Sequence, residues 1–224
     1  MYFGTTTASN TLDIDDISVI QLGSTLNPNS SGMYSSIWHD YDHAVTGTVS
    51  GATAVIPTGS NLGGVYFNGT DSYLMKENMP GLTGDITITG WFYALSYGEV
   101  SGRIFNNGSF GLRYDTAELI VLTRNNSTEA LSVATSALLS KWHFFAITST
   151  SAGTTNIYIG DSDTPPALSG TANQSAGTPT AGTTWYIGNR AAGDRTFHGN
   201  INSLRIYEKI LTTDEIDLIY RYSD

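Results

Sequence analysis

The chain has 224 residues, 40% hydrophobic and only 13% charged, with 20 acidic against 10 basic side chains and a formal net charge of −10. That length suits one all-β core, since sandwiches and barrels run to about 200–250 residues as single domains. The acidic balance excludes nucleic acid as a partner, because phosphates are bound by clustered Lys and Arg, and the absence of cysteine excludes disulfides, thiolate metal sites and a thiol nucleophile.

Residues 1–36 read as a unit of their own. No basic and apolar segments of a signal peptide follow Met1, so a role outside the cell is expected to need release by lysis or a longer parent chain. A strand-like run over 12–22 alternates imperfectly, Ile14, Asp16, Ser18 and Ile20 against Asp15, Ile17, Val19 and Gln21. A Ser/Asn/Gly-rich loop follows, in which Pro28 and Gly32 forbid a long regular element. The segment 1–36 is expected to be a docking arm or the remnant of a preceding module, and 37–224 the main domain. No apolar run anywhere approaches the roughly 20 residues of a membrane span.

From Trp38 onward, short apolar-alternating runs recur at 64–67, 72–76, 85–95, 103–105, 110–114, 118–124, 142–149, 155–159, 184–187 and 199–207. Asn68-Gly69, Asn107-Gly108 and Asn125-Asn126 punctuate them with residues that accept left-handed backbone. So many runs predict two stacked antiparallel sheets. In 85–95, Ile86, Ile88 and Phe92 share one face and Thr87, Thr89 and Trp91 the other. The run Trp142-His143-Phe144-Phe145-Ala146-Ile147 is apolar on both faces, which predicts a strand covered on both sides with His143 in or near the core. Residues 160–182, with Pro165-Pro166, Gly170, Gly177 and Pro179, hold almost no large apolar side chains and predict a long exposed loop. One helix is predicted at 213–221. Thr212 and Glu215 are spaced as a capping box, Leu211 and Ile216 as a hydrophobic staple, and Ile216, Ile219 and Tyr220 form the docking face.

With these elements in place, the chain from Trp38 to Tyr222 resembles the laminin-G-like, concanavalin-A-like jelly-roll family. The resemblance rests on Val65-Tyr66-Phe67-Asn68-Gly69-Thr70-Asp71-Ser72-Tyr73-Leu74, on Ile86 to Phe92 with its tryptophan, and on Trp142 to Ile147 with Asn156-Ile157-Tyr158-Ile159-Gly160. It is completed by Tyr186-Ile187-Gly188-Asn189 and by Phe197 to Tyr207 running into the capped helix. It implies a two-sheet antiparallel β-sandwich closed by one short C-terminal helix. The stretch Asn10 to Gly23, with Trp38-His39-Asp40 and Gly47-Thr48-Val49-Ser50-Gly51-Ala52, is similar to bacteriophage virion proteins in which the last strand of a carbohydrate-binding-like module precedes a laminin-G-like one.

Glucanases of this fold place two carboxylates on one strand, about 5–5.5 Å apart, as acid and nucleophile. The nearest string, Glu215-Ile216-Asp217, falls in the predicted helix, where Glu215 already serves the cap. No catalytic residue is expected, a glycoside hydrolase with an unrecognised site being the remaining alternative. Glycan binding asks instead for rings presented flat beside polar groups on open loops. Trp38 with His39 and Asp40, Tyr97, and Arg190, Asp194 and Arg195 meet that description; the alternative for Trp38 and Tyr97 is simple packing. The resemblance implies calcium at the sandwich rim, with Asp71, Asp161 and Asp163 as candidate ligands, against the alternative of solvated turn acids. His39-Asp40-Tyr41-Asp42-His43 suggests either a transition-metal site or a solvated loop.

These readings converge on a non-catalytic structural or adhesion protein of a virion surface, a capsid decoration or tail appendage with glycan-binding loops. Expected partners are other virion proteins and cell-surface glycans, with homo-oligomeric or multivalent display and no membrane insertion. The alternative is a secreted, extracellular bacterial carbohydrate-binding module from a larger protein.

Overall fold

The computed structural model describes residues 64–79, 81–108, 110–115, 139–173 and 183–223, and the backbone alone of strands at 24–25, 37–40, 45–50, 53–55, 118–122 and 129–134. Two antiparallel sheets of eight strands stack face to face. The first runs in the order β14 (Ala167–Asn173), β13 (Thr154–Asp161), β12 (Trp142–Ser149), β7 (Ile86–Ser96), β16 (His198–Tyr207), β5 (Gly64–Asn68) and β4 (Thr53–Val55), with β1 (Ser24–Thr25) also paired to β16. The second runs β11 (Glu129–Ala134), β10 (Glu118–Leu122), β9 (Gly111–Asp115), β8 (Gly102–Asn106), β15 (Trp185–Ile187), β6 (Tyr73–Lys76), β3 (Val45–Ser50) and β2 (Ile37–Asp40). Among the described residues no helix is long and apolar enough to cross a membrane.

Period-two alternation decides which side chains fill the space between the sheets. Ile86, Ile88 and Phe92 of β7 meet Phe145 and Ile147 of β12, Ile104 and Phe105 of β8, and Leu112 and Tyr114 of β9 in one buried cluster. The other face of β7 and β12 is covered too. Helix α1 (Thr213–Arg221) lays Ile216 and Ile219 on Trp91, Phe144 and Ala146, and the Tyr220 ring stacks on Trp91 at 5.5 Å. Its start is fixed as the sequence implies: the Glu215 amide donates to Thr212 Oγ1 at 3.2 Å and the Thr212 amide to Glu215 Oε2 at 2.8 Å. Lys209 adds an ion pair to Glu215 at 2.6 Å.

The segment from 160 to 182 is not one long loop. Ala167–Asn173 pairs along β13 as the edge strand β14. An edge strand with an exposed face needs no apolar alternation, so small and polar residues such as Ser169, Gly170 and Thr171 hide it from a hydrophobic reading. Residues 174–182 lie outside the described residues, as do those of the strand predicted at 12–22.

His143 faces the core beside the Phe92 ring, at 5.8 Å, and is 4% exposed with no hydrogen-bond partner for Nε2. Burial pushes its pKa down to about 4, the Lys141 ammonium adding to this while Asp161 opposes it. The unfolded chain takes up this proton below its ordinary value of about 6.5, whereas the folded chain resists until about 4. Stability is therefore full above pH 6.5 and lost as pH falls through that window, by up to about 3 kcal/mol. Urea unfolding at pH 7 and pH 5 should show this slope in the native chain and a flattened one in His143→Leu; equal slopes would reject it.

Candidate functional site

Strand registers set the connections β5–β6, β7–β8, β9–β10, β11–β12, β13–β14 and β15–β16 at one end of the sandwich, since His198 lies opposite both Ser96 and Asn68, and His143 opposite Asp161. At the centre of this rim two loops are laced together. The Glu99 amide donates to the Thr196 carbonyl at 3.2 Å, the Thr196 amide to Glu99 Oε2 at 3.1 Å, and Arg195 Nη1 to the Val100 carbonyl at 3.0 Å.

Local strain marks this junction. Val100 and Ser101 hold φ of 57° and 68°, a region uncommon for any residue but glycine and most unfavourable for the β-branched Val100, which is 71% exposed at the tip. Such strain is held by its surroundings and gathers at ligand-binding sites. Gly98 is required here: at φ +67° a Cβ would sit 2.1 Å from the Thr196 carbonyl oxygen.

The β15–β16 loop is organised from within by Asn189, which is fully buried. Its Nδ2 donates to Thr196 Oγ1 at 2.7 Å, and its Oδ1 accepts from the amides of Arg190 at 2.8 Å and Arg195 at 3.0 Å. Gly188 makes the entry turn at φ +80°, where a Cβ would overlap the Phe67 ring. Within the loop Arg190 grips Asp194 through Nε at 2.6 Å and Nη2 at 2.7 Å, and that fork holds the Asp194 carboxyl at about 2.

Arg190, Asp194 and Arg195 are thus brought together with the 96–102 loop, as their shared loop suggests. Tyr97 lies at the same rim, half-buried, with its ring packed on Tyr114 at 5.4 Å and against the core. Trp38, His39 and Asp40 do not join them. They run along edge strand β2, four strand steps from β8, or about 19 Å, and point the chain away from this rim. Their side chains lie outside the described residues, as do residues 41–43.

The acids named for calcium do not form one site. Asp71 follows β5, whereas Asp161 ends β13, again four strand steps away, and Asp71 accepts from Asn68 Nδ2 at 2.6 Å. Asp161 Oδ2 takes Lys141 Nζ at 2.7 Å and its Oδ1 takes the amides of Asp163 and Thr164. Lys141, with the amides of Asp163 and Thr164, holds Asp161 at about 2, and Lys141 also pairs Asp163 at 3.6 Å. This donor set, with an ammonium already seated, does not fit a calcium ion; no cluster of three or more His, Asp or Glu exists among the described residues.

Two rim residues had not been singled out from the sequence, Asn189 and Arg103. Asn189 sits in the Tyr186-Ile187-Gly188-Asn189 stretch, where its buried role has no compositional mark. Arg103 had a signal in retrospect, a charge opening the apolar run Arg103-Ile104-Phe105; its 5% exposure needed the structure.

Residues 67–217 match a laminin-G family model described as the concanavalin A-like lectin/glucanases superfamily. No curated protein sequence matches the chain. Among solved structures, the binding domain of botulinum neurotoxin DC in complex with rat synaptotagmin II is similar at TM-score 0.63 and 14% identity, over 90% of this chain and 51% of that one. A structure reported with the dependence of botulinum neurotoxin type C cell entry on two ganglioside molecules is similar at TM-score 0.63 and 13% identity, over 90% and 51%. A mutant of Trypanosoma rangeli sialidase displaying trans-sialidase activity is similar at TM-score 0.62 and 18% identity, over 87% of this chain and 32% of that one. The chain spans about half the length of the toxin binding domains.

Proposed function

Since the chain belongs to the concanavalin A-like lectin/glucanases superfamily, we propose that it is a non-catalytic recognition domain that binds cell-surface glycans at the rim where the 96–102 and 190–196 loops meet. The observation that carries this reading is the lacing of those loops: Glu99, Val100, Arg195 and Thr196 are cross-bonded, so the two loops and the partly exposed Glu99 and Arg195 side chains are held in place before a ligand arrives. Preorganised polar groups on rigid scaffolds are what saccharide recognition needs. Similar folds support recognition in kind, one being a toxin binding domain in complex with rat synaptotagmin II and another reported with the dependence of toxin cell entry on two ganglioside molecules.

The absence of turnover belongs to the same proposal. Among the described residues no strand carries more than one acidic residue, and Glu215 is committed to the helix cap. In its finer form the proposal places the domain on a virion surface, as a capsid decoration or tail appendage, where multivalent display multiplies weak affinity. A secreted bacterial carbohydrate-binding module is the second reading, and the similarity of the 67–217 region to lectins and glucanases favours it equally.

A glycan panel probed with the full chain, with reducing-end release measured in parallel, tests the function. Binding without release is expected. Release from any polysaccharide would overturn the non-catalytic assignment, and silence across the panel would overturn glycan recognition. Antibody imaging of purified virions separates the two placements: surface labelling is expected of the first, none of the second.

A further inference from the structure

Arg103 occupies a position that ordinarily excludes a charge. Leu112 and Tyr114 of β9 point into the core, so Arg113 between them faces outward, and Arg103 is its direct cross-strand partner on that face. Like charges directly opposite destabilise a strand pair. The 190–196 loop then closes over the same spot: the Arg103 amide donates to the Arg195 carbonyl at 2.8 Å, and Thr196 bridges Arg103 in parallel. Four of the ten basic residues of a chain with net charge −10 are gathered here.

The buried guanidinium has almost nothing to hold. Arg103 is 5% exposed, its Nε has no partner, and its one hydrogen bond is a long one, Nη1 to the Ser101 carbonyl at 3.5 Å. Nearby acids are engaged elsewhere. Asp194 is gripped by Arg190, Glu99 accepts from Thr196, and Asp115 accepts from Ser101 Oγ at 2.5 Å and lies 3.8 Å from Arg113. Burial, reinforced by the three neighbouring guanidiniums, pushes Arg103 down to about 10, which still leaves it charged at neutral pH. A buried charge without a counter-ion is strongly unfavourable. Among the described residues the Arg195 guanidinium is tied to a main-chain carbonyl, that of Val100, and the ion pairs of this rim involve Arg113 and Arg190, not Arg103 or Arg195.

We propose that Arg103, with Arg113, Arg190 and Arg195 around it, is an anion subsite that receives the carboxylate of an acidic sugar of the sialic or uronic acid class. The flat guanidinium fork matches a planar carboxylate bidentately. A polysulfated chain would meet the repulsion of the protein's net charge along its whole length, whereas a single carboxylate feels the local positive cluster. The sugar rests on the glycan-binding reading above, while the anion site stands on Arg103 itself.

Titration calorimetry of the full chain with sialyllactose and oligogalacturonate, each beside its neutral counterpart, tests the proposal together with side-chain ¹⁵N spectra of arginine. Acidic ligands are expected to bind more tightly than neutral ones and to shift the Arg103 Nε–H signal. Arg103→Gln should weaken them by about 10- to 100-fold and leave neutral ligands unchanged. Should Arg103→Gln fail to fold, Arg113→Gln, at the partly exposed cross-strand position outside the loop lacing, should reproduce the selective loss more weakly. Equal affinity for acidic and neutral ligands, or sulfated saccharides outcompeting the carboxylates, overturns the acidic-sugar assignment while leaving glycan recognition intact. Free N-acetylneuraminate shifting Arg103 when no oligosaccharide binds would uphold the anion site and reject the glycan platform; a silent Arg103 signal throughout would reject the site.

Discussion

Phe92→Ala is expected to destabilise the fold by about 3–5 kcal/mol, a large part of the roughly 5–15 kcal/mol that holds a typical domain together. Phe92 is fully buried at the centre of the inter-sheet space, with the rings of Tyr114 at 5.6 Å, His143 at 5.8 Å, Phe145 at 6.1 Å and Phe197 at 6.4 Å. Truncation removes the ring that those four share. Because β7 pairs with β12 on one side and β16 on the other, the surrounding backbone is held and cannot collapse into the void. Chemical denaturation of the variant should show the full loss; a cost below about 1 kcal/mol would mean the two sheets are not packed as described.

Asn189→Ala is expected to act on the site as well as on stability. Three hydrogen bonds leave with its side chain, and they strand the Thr196 hydroxyl and the Arg190 and Arg195 amides. At about 1 kcal/mol each, more where a group stays buried and unpaired, the cost is about 2–4 kcal/mol. The larger consequence is positional. Arg190, Asp194 and Arg195 lose their fixed relation to the 96–102 loop, so saccharide affinity should fall even under conditions where denaturation shows the variant fully folded. Unchanged affinity in a folded Asn189→Ala would remove this loop from the site.

The elements that were legible in the sequence are those whose neighbours are local or whose two faces are both apolar. Trp142–Ser149 and Thr213–Arg221 appear where alternation and the capping box place them, because a strand covered on both sides and a capped amphipathic helix each write their surroundings into consecutive residues. Edge strand β14 left no such trace, since its partner β13 satisfies the backbone while its side chains face water. The site was half legible for a related reason. Arg190 and Arg195 stood out through their rarity, and their loop does lie at the rim. Tyr97 was drawn in by its chemistry, although Tyr114, seventeen positions away, claims its ring. Trp38, His39 and Asp40 were drawn in likewise, although sheet order sets them at the far edge. Arg103 and Asn189 take their meaning from residues distant in the chain: a cross-strand partner and an overlying loop for the one, and a hydrogen-bonded loop closed around the other.

The rim also explains why recognition belongs to one part of the molecule. Helix α1 covers the outer face of β7 and β12, with Ile216, Ile219 and Tyr220 over Trp91 and Phe144, and the Tyr220 hydroxyl donates to the Asp161 carbonyl at 2.8 Å. That face is sealed by packing. The laced loops, by contrast, carry exposed and strained residues on a rigid base.

Amide chemical-shift mapping of the full chain, titrated with the tightest saccharide found on the panel, is the most direct measurement. Perturbations are expected to centre on 97–103 and 189–196, with helix α1 and the Asn107-Gly108 turn at the opposite end unmoved. Perturbations centred on helix α1 or on that opposite end, with the rim silent, would contradict recognition at the rim.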